Sequence, residues 1–226
     1  MRSYDDSCGI ARALDTVGDR WTLLIVRELL LGPKRYTDLQ HALRRVAPDM
    51  LSQRLRDLEA AGLAERAQLT GPGRPRVYRL TDHGRELQPV LVALGRFGSR
   101  LPLPEHPPAL SPDATAVALL TVFRPERAPG VDLRVVLELS GEEFAVVITD
   151  ERLDVSRDPG PASGERTPTA RIVTTPAVLT RVLWHGLDPA DAERSGLLEV
   201  HGDVDAVADF LAVFRSPLGP VPAARG

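Results

Sequence analysis

One stretch of sequence decides the fold of the first half of the chain: Val46-Ala47-Pro48-Asp49-Met50-Leu51-Ser52-Gln53-Arg54-Leu55-Arg56-Asp57-Leu58-Glu59-Ala60-Ala61-Gly62-Leu63. Proline is tolerated at a first helical position and glycine ends helices, so a helix is predicted from Pro48 up to Gly62. At about 100° per residue, this helix has one apolar and one polar face. The apolar face carries Leu51, Leu55 and Leu58, and the polar face carries Asp49, Ser52, Gln53 and Arg56.

The polar face combines a hydroxyl, an amide and a guanidinium, contributed by Ser52, Gln53 and Arg56. These groups hydrogen-bond base edges in the major groove of DNA. The ordinary solvated face of an amphipathic helix has a similar composition. The helix alone therefore leaves two interpretations open, and the flanking sequence favours the reading of DNA.

Further helices are predicted before this stretch. They span Cys8–Val17, with Ile10, Ala13, Leu14 and Val17 on an apolar side, then Arg20–Leu31, and then Tyr36–Leu43 with Thr37 as its N-cap. The second of them is apolar almost all round and must be covered on every side. The last one, a tight turn and the helix from Pro48 form a helix-turn-helix pattern.

Two short strands, Ala64–Thr70 and Val77–Leu80, flank a tip rich in glycine and proline that carries Arg74 and Arg76. A cationic hairpin directly after a reading helix predicts a winged helix. Thr81 then caps a predicted long helix from Asp82 to about Arg100, a candidate dimerisation element. A bend or early break is expected at Pro89.

Several motifs follow one another in this region: Cys8–Asp15, Val17–Trp21, Met50–Leu55, Leu58–Leu63 and Leu80–Gly84. Together they resemble the HxlR family of winged-helix bacterial transcription regulators, which is related to MarR. The resemblance implies a homodimer with a DNA-reading helix at Pro48–Ala61 and a wing at Arg74–Arg76. The chain departs from the usual family pattern at Gly9, Ala47 and Phe97.

On this basis two reading helices are expected to enter successive major grooves of a pseudo-palindromic operator, about 34–36 Å apart. The residues expected to contact bases are Ser52, Gln53 and Arg56. Those expected to contact phosphate or the minor groove are Arg35, Thr37, Arg54, Arg74 and Arg76.

A proline-rich segment predicts a domain boundary, dividing the chain into residues 1–100, a linker at 101–112 and residues 113–226. In the second domain, helices are predicted at Asp113–Phe123, from Thr175-Pro176 to Trp184, and after a cap at Asp203. Strands are predicted at Asp132–Leu139, Glu143–Thr149, Arg152–Arg157, Ala170–Thr174 and Leu197–Val200. The fold class is α+β: a winged helix-turn-helix domain followed by a domain with a five-stranded, mainly antiparallel sheet.

The segment Ser195–Asp203, in its setting after Trp184–Pro189, resembles the sterol-carrier-protein-like domain. That resemblance implies a sheet and helices enclosing an apolar tunnel for a hydrophobic small molecule. The candidate lining residues are Phe123, Phe144, Ile148, Leu179, Leu183, Trp184 and Phe210. An ordinary hydrophobic core would use the same residues.

The charge of -3 is divided unevenly along the chain. Residues 1–104 carry 17 Lys and Arg against 12 Asp and Glu, giving +5, and the remainder carries 11 against 19, giving -8. This asymmetry favours a polyanion-binding first half. Cys8 is the only cysteine, so it is a small buried hydrophobe, a redox-sensing thiol or one half of a disulfide between subunits.

The beginning of the chain lacks the apolar core of a signal peptide, and no run is long enough to cross a bilayer, so a cytoplasmic location is expected. We expect no cofactor, no metal site and no enzymatic activity, because the histidines are scattered and no nucleophile motif occurs. The leading hypothesis is a homodimeric DNA-binding regulator, a repressor that senses a hydrophobic effector. The alternatives are a lipid or metabolite carrier that uses the winged helix to dimerise, and a redox sensor working through Cys8.

Overall fold

The computed structural model describes residues 4–69, 75–102, 109–157 and 168–215. The chain divides into two compact units, Met1–Leu91 and Val92–Gly226. Residues 103–108 of the predicted linker and residues 70–74 of the predicted wing, including Arg74, lie outside the described residues. The assignment of separate roles to residues 1–100 and 113–226 therefore remains a prediction.

The first unit begins with helices joined by short turns. They are α1 (Gly9–Val17), α2 (Thr22–Leu29), α3 (Tyr36–Ala42) and α4 (Pro48–Ala60). Pro48 occupies the first turn of α4, where its missing N–H costs nothing, and Gly62 follows with a φ of 67°. The prediction of this helix is confirmed.

A two-stranded antiparallel hairpin follows α4 within the described part of the first unit, formed by β1 (Ala64–Gln68) and β2 (Arg76–Leu80). Ala64 is paired with Leu80 and Gln68 with Arg76. The hydroxyl of Thr81 then accepts a hydrogen bond from the N–H of Gly84 at 3.1 Å. The predicted hairpin and cap are confirmed.

The long helix predicted after Thr81 is two helices, α5 (Asp82–Arg85) and α6 (Gln88–Gly98). The chain turns at Glu86 and Leu87, so Pro89 falls in the first turn of the second helix, where proline is tolerated. The expected early break is confirmed.

Leucine and valine side chains from α2, α3 and α4 form the core of the first unit, closed by residues of the hairpin. Leu51, Leu55 and Leu58 all lie in this core, as their spacing predicts. Burying an aliphatic side chain of this size stabilises a fold by about 1.5–3 kcal/mol. The core therefore fixes α4 with its polar face outward.

The second unit contains, within the described residues, a five-stranded sheet with the order β5-β4-β3-β6-β7. The strands are β3 (Leu133–Leu139), β4 (Glu142–Thr149), β5 (Arg152–Ser156), β6 (Ala170–Thr174) and β7 (Leu198–Gly202). Strands β3 and β6 pair in parallel and the other neighbours pair antiparallel. The predicted antiparallel meander and the mainly antiparallel sheet are confirmed.

Among the described residues, the α-helices that lie wholly within this unit are α7 (Pro112–Val122), α8 (Pro176–Trp184), α9 (Pro189–Arg194) and α10 (Val204–Phe214). Each begins behind a side chain that accepts a backbone N–H: Ser111, Thr175, Asp188 or Asp203. Helix α10 packs across β3, β6 and β7. Helix α9 was not predicted from the sequence.

Candidate nucleic-acid interface

Helix α4 leaves a polar surface opposite its buried leucines. Asp49 and Arg56 are exposed, and Ser52 and Gln53 are half-buried. The outward polar face expected from the helical period is therefore present. Among the three residues predicted to contact bases, Arg56 is the most exposed.

The turn leading into α4 is held by Tyr36. Its hydroxyl donates a hydrogen bond to the backbone carbonyl of Pro48 at 2.9 Å. The hydroxyl of Ser52 in turn donates to the oxygen of Tyr36 at 3.3 Å. Ser52 thus helps to fasten α3 to the first turns of α4, in addition to any contact with DNA.

A chain of hydrogen bonds runs along the exposed side of α4. Arg56 Nη2 donates to Gln53 Oε1 at 2.7 Å, and Gln53 Nε2 donates to Asp57 Oδ1 at 2.8 Å. The other oxygen of Asp57 lies 3.2 Å from Nη1 of Arg54. Two of the predicted base-contacting side chains are therefore already bonded to each other.

Arg54 also forms an ion pair with Asp19, which lies between α1 and α2. The side chain of Arg54 is only 15% exposed, and its Nε is buried with no hydrogen-bond partner among the described residues. Two carboxylates thus surround the charge of Arg54. Sequence reasoning assigned Arg54 to phosphate and missed both partners. The spacing of three residues between Arg54 and Asp57 on one helix was a local signal for that pair, whereas Asp19 is distant in sequence and gave none.

The N-cap of α3 differs from expectation. The predicted N-cap at Thr37 is wrong: α3 begins at Tyr36, as predicted, so Thr37 lies inside the helix and Arg35 occupies the cap position. The N–H of Arg35 donates to a carboxylate oxygen of Asp38 at 2.9 Å, which satisfies an amide that the helix leaves open. The side chains of Arg35 and Thr37 are both exposed.

Arginines that the sequence pattern did not single out also lie on this unit. Arg44 and Arg45 are exposed in the turn between α3 and α4. Two adjacent cations in the turn of a predicted helix-turn-helix were the sequence signal that could have identified them as phosphate contacts. Arg76 is exposed on β2. By contrast, Arg66 donates to Glu59 at 3.2 Å, and this hydrogen bond raises the pKa of Arg66 above its ordinary value.

Cys8 is exposed just before α1, so the interpretation of a small buried hydrophobe is wrong. Hydrogen bonding from the backbone of Ile10, and then of Ala11, lowers the pKa of the Cys8 thiol from its usual value. The amides at the beginning of α1 are not satisfied within the helix and stabilise the thiolate.

The predicted ligand-lining residues of the second unit are all buried: Phe123, Phe144, Ile148, Leu179, Leu183, Trp184 and Phe210. The rings of Phe210 and Phe214 lie 4.8 Å apart. The indole Nε1 of Trp184 is buried and has no hydrogen-bond partner in the described part of the chain. Burial alone fits both a core and the lining of a ligand site.

In residues 4–69, 75–102, 109–157 and 168–215, no group of three or more His, Cys, Asp or Glu side chains could hold a metal ion. No helix within those same ranges has the length and apolarity needed to span a bilayer.

A helix-turn-helix with an exposed polar second helix and an adjoining hairpin defines the winged-helix class of DNA-binding proteins. Residues 16–105 match the family described as HxlR-like helix-turn-helix. The HTH-type transcriptional regulator YkvN of Bacillus subtilis is 36% identical over 93 residues, which are 41% of this chain and 78% of YkvN. The chain belongs to the HxlR-like family.

A second relative is the HTH-type transcriptional regulator Rv3095 of Mycobacterium tuberculosis, 43% identical over 100 residues, which are 44% of this chain and 63% of Rv3095. The match therefore spans less than two thirds of this relative's length. Among solved structures, the redox regulator HypR in its oxidized form is 26% identical, with 42% of this chain and 97% of HypR covered and a TM-score of 0.39. Reduced YodB from B. subtilis is 29% identical, with 42% and 95% covered and a TM-score of 0.38.

Proposed function

We propose that this protein is a homodimeric, sequence-specific transcription regulator, a cytoplasmic repressor that senses a hydrophobic small molecule. The observation that carries the proposal is the outward polar face of α4, on which the side chain of Arg56 is exposed. Membership of the HxlR-like family, whose relatives are named as transcriptional regulators, supports it.

In the proposed complex, α4 lies in the major groove with Gln53, Arg56 and the hydroxyl of Ser52 toward the bases. The remaining contacts hold the protein on the phosphate backbone or in the minor groove. They involve Arg35, Thr37, Arg54, Arg74 and Arg76, to which we add Arg44 and Arg45. Exposure supports this role for all of these except Arg54, which is largely covered, and Arg74, which lies outside the described residues.

Apolar side chains left open on α6 support a homodimer. Val90, Leu94 and Phe97 recur at intervals of four and three residues and are 48%, 50% and 63% exposed. Helix α1 likewise exposes Ile10, at 73%. Covering such side chains is the usual driving force of a stable homodimer. A twofold axis would place two copies of α4 about 34–36 Å apart along DNA.

The second unit is proposed to be a sterol-carrier-like effector domain. The buried indole N–H of Trp184, without a partner in the described residues, supports this role because an apolar ligand with one acceptor oxygen would satisfy it. The effector must bind the DNA-competent and DNA-incompetent arrangements with different affinities, since otherwise it shifts nothing.

The decisive experiment measures the affinity of the full chain for a duplex spanning its own upstream promoter and for a scrambled duplex of equal length, across a salt series. We expect tighter binding to the promoter and a log–log salt slope that reports several phosphate contacts. Equal, weak binding to both duplexes would contradict the proposal of a sequence-specific transcription regulator. It would favour the carrier, in which the winged helix only dimerises.

A redox-sensing regulator is the second candidate, favoured by the exposure of Cys8 and by the lowered pKa of its thiol. It predicts that an oxidant changes promoter affinity in the native protein and leaves the Cys8→Ser variant unaffected. Equal responses of the two proteins would exclude this candidate while leaving the effector proposal intact.

A further inference from the structure

Given that α4 reads DNA as proposed above, the hydrogen bonds along this helix give its polar side chains different roles. We propose that Arg56 is the side chain that reads a base, and that Gln53 and Asp57 are positioning residues that hold its guanidinium in place. The base edge this arrangement fits is that of guanine.

The orientation of the Gln53 amide follows from the chemistry of its neighbour. An ionised carboxylate only accepts hydrogen bonds, so the group of Gln53 that faces Asp57 Oδ1 at 2.8 Å must be its NH₂. The carbonyl oxygen of Gln53 is then turned toward Arg56, whose Nη2 lies 2.7 Å away. Asp57 thus determines that the carbonyl oxygen of Gln53, and not its NH₂ group, faces Arg56.

Asp57 is itself held. Its second oxygen lies 3.2 Å from Arg54 Nη1, and Arg54 also forms an ion pair with Asp19. The side chains of Arg54 and Asp57 are only 15% and 23% exposed, so their pairing is partly sheltered from solvent screening, whereas Asp19 is 56% exposed. The reading surface is therefore connected through Arg54 to Asp19 in the exposed turn before α2.

The consequence is a preference for a base that only accepts at its major-groove edge. One Nη2 hydrogen of Arg56 is used on Gln53, and the guanidinium keeps four further N–H donors. Guanine offers O6 and N7, two acceptors that suit a guanidinium in a bidentate contact, whereas adenine places a donor beside N7. Holding Arg56 in advance reduces the entropy lost when it binds.

The test is a panel of operator duplexes, each with one base pair replaced, measured with the full chain and with Arg56→Ala, Gln53→Met and Asp57→Ala. Arg56→Ala is expected to lose roughly 5- to 150-fold discrimination at one guanine. Gln53→Met and Asp57→Ala should weaken discrimination at that same base pair. The double variant Gln53→Met/Arg56→Ala should resemble Arg56→Ala alone, because the residues act as a unit.

Asp82→Ala is the matched control, since it removes an exposed carboxylate paired with Arg85 on α5. It should leave discrimination at every position unchanged. The inference is overturned if Gln53→Met affects a different base pair from Arg56→Ala, because Gln53 would then read a base itself. It is also overturned if Asp57→Ala weakens binding to all duplexes equally, the sign of a purely structural role. A native protein without any sequence preference would refute the proposed function instead.

Discussion

Replacing Phe97 by alanine is expected to weaken the proposed homodimer. Phenylalanine buries about 150–250 Å² when fully covered. The 63% of Phe97 that is exposed therefore offers a partner about 95–160 Å², worth about 2.4–4 kcal/mol at 25 cal/mol per Å². A twofold interface uses this surface twice, which gives a gross gain of about 5–8 kcal/mol.

Part of this gain is offset by ordering side chains and by lost freedom of the subunits, and alanine keeps one of the carbons. We therefore expect a net loss of about 2.8 kcal/mol, which weakens the dimer roughly 100-fold. Sedimentation equilibrium across a concentration series measures this shift. The control is Val204→Ala, which removes an exposed apolar side chain on α10. An unchanged dissociation constant for Phe97→Ala, or a native protein that is monomeric throughout, would refute the reasoning.

Three further predictions concern individual residues. Arg157 donates to both carboxylate oxygens of the fully buried Asp113, at 2.8 and 2.6 Å, so Arg157→Ala should lower the free energy of unfolding by about 3–5 kcal/mol in a urea titration. A Cβ at Gly84 would lie 2.0 Å from the carbonyl oxygen of Leu63, so Gly84→Ala should destabilise the first unit by about 1–3 kcal/mol, read as a lower melting temperature. Because the pKa of Cys8 is lowered, its alkylation by iodoacetamide should reach half its maximal rate at a lower pH than for a cysteine in an unfolded peptide, and an identical profile would contradict the helix effect.

The sequence predicts the elements whose signals are local. Leucines at helical spacing and a proline at the first turn define α4, and turn residues separate β3, β4 and β5. These features depend on neighbouring residues alone. Helix α9 was missed because its six residues are too few for a hydrophobic period. The parallel pairing of β3 with β6 is likewise absent from local patterns, because strand order depends on long-range contacts.

In the candidate site, too, local signals are predicted from the sequence and long-range contacts are not. A helical wheel places Arg54 on the flank of α4, but it contains no information about Asp19, which is distant in sequence and reaches Arg54 only in the folded chain. The cap of α3 was displaced from Thr37 to Arg35 because Asp38 rather than a hydroxyl satisfies the open amide. Hydrogen bonds between side chains decide which predicted contacts are free for DNA, and only the folded geometry reveals them.

The parallel pairing in the second unit has a consequence for biosynthesis. Strand β3 is flanked by β4 on one side and on the other by β6, whose Ala170 pairs with Val135. At 5–20 residues per second, the ribosome needs roughly 4–16 s to extend the chain from Val92 to Thr174. We therefore expect the first unit to emerge and fold while one side of β3 is still without its neighbour. In the proposed regulator, α4 would then be formed before the second unit is complete.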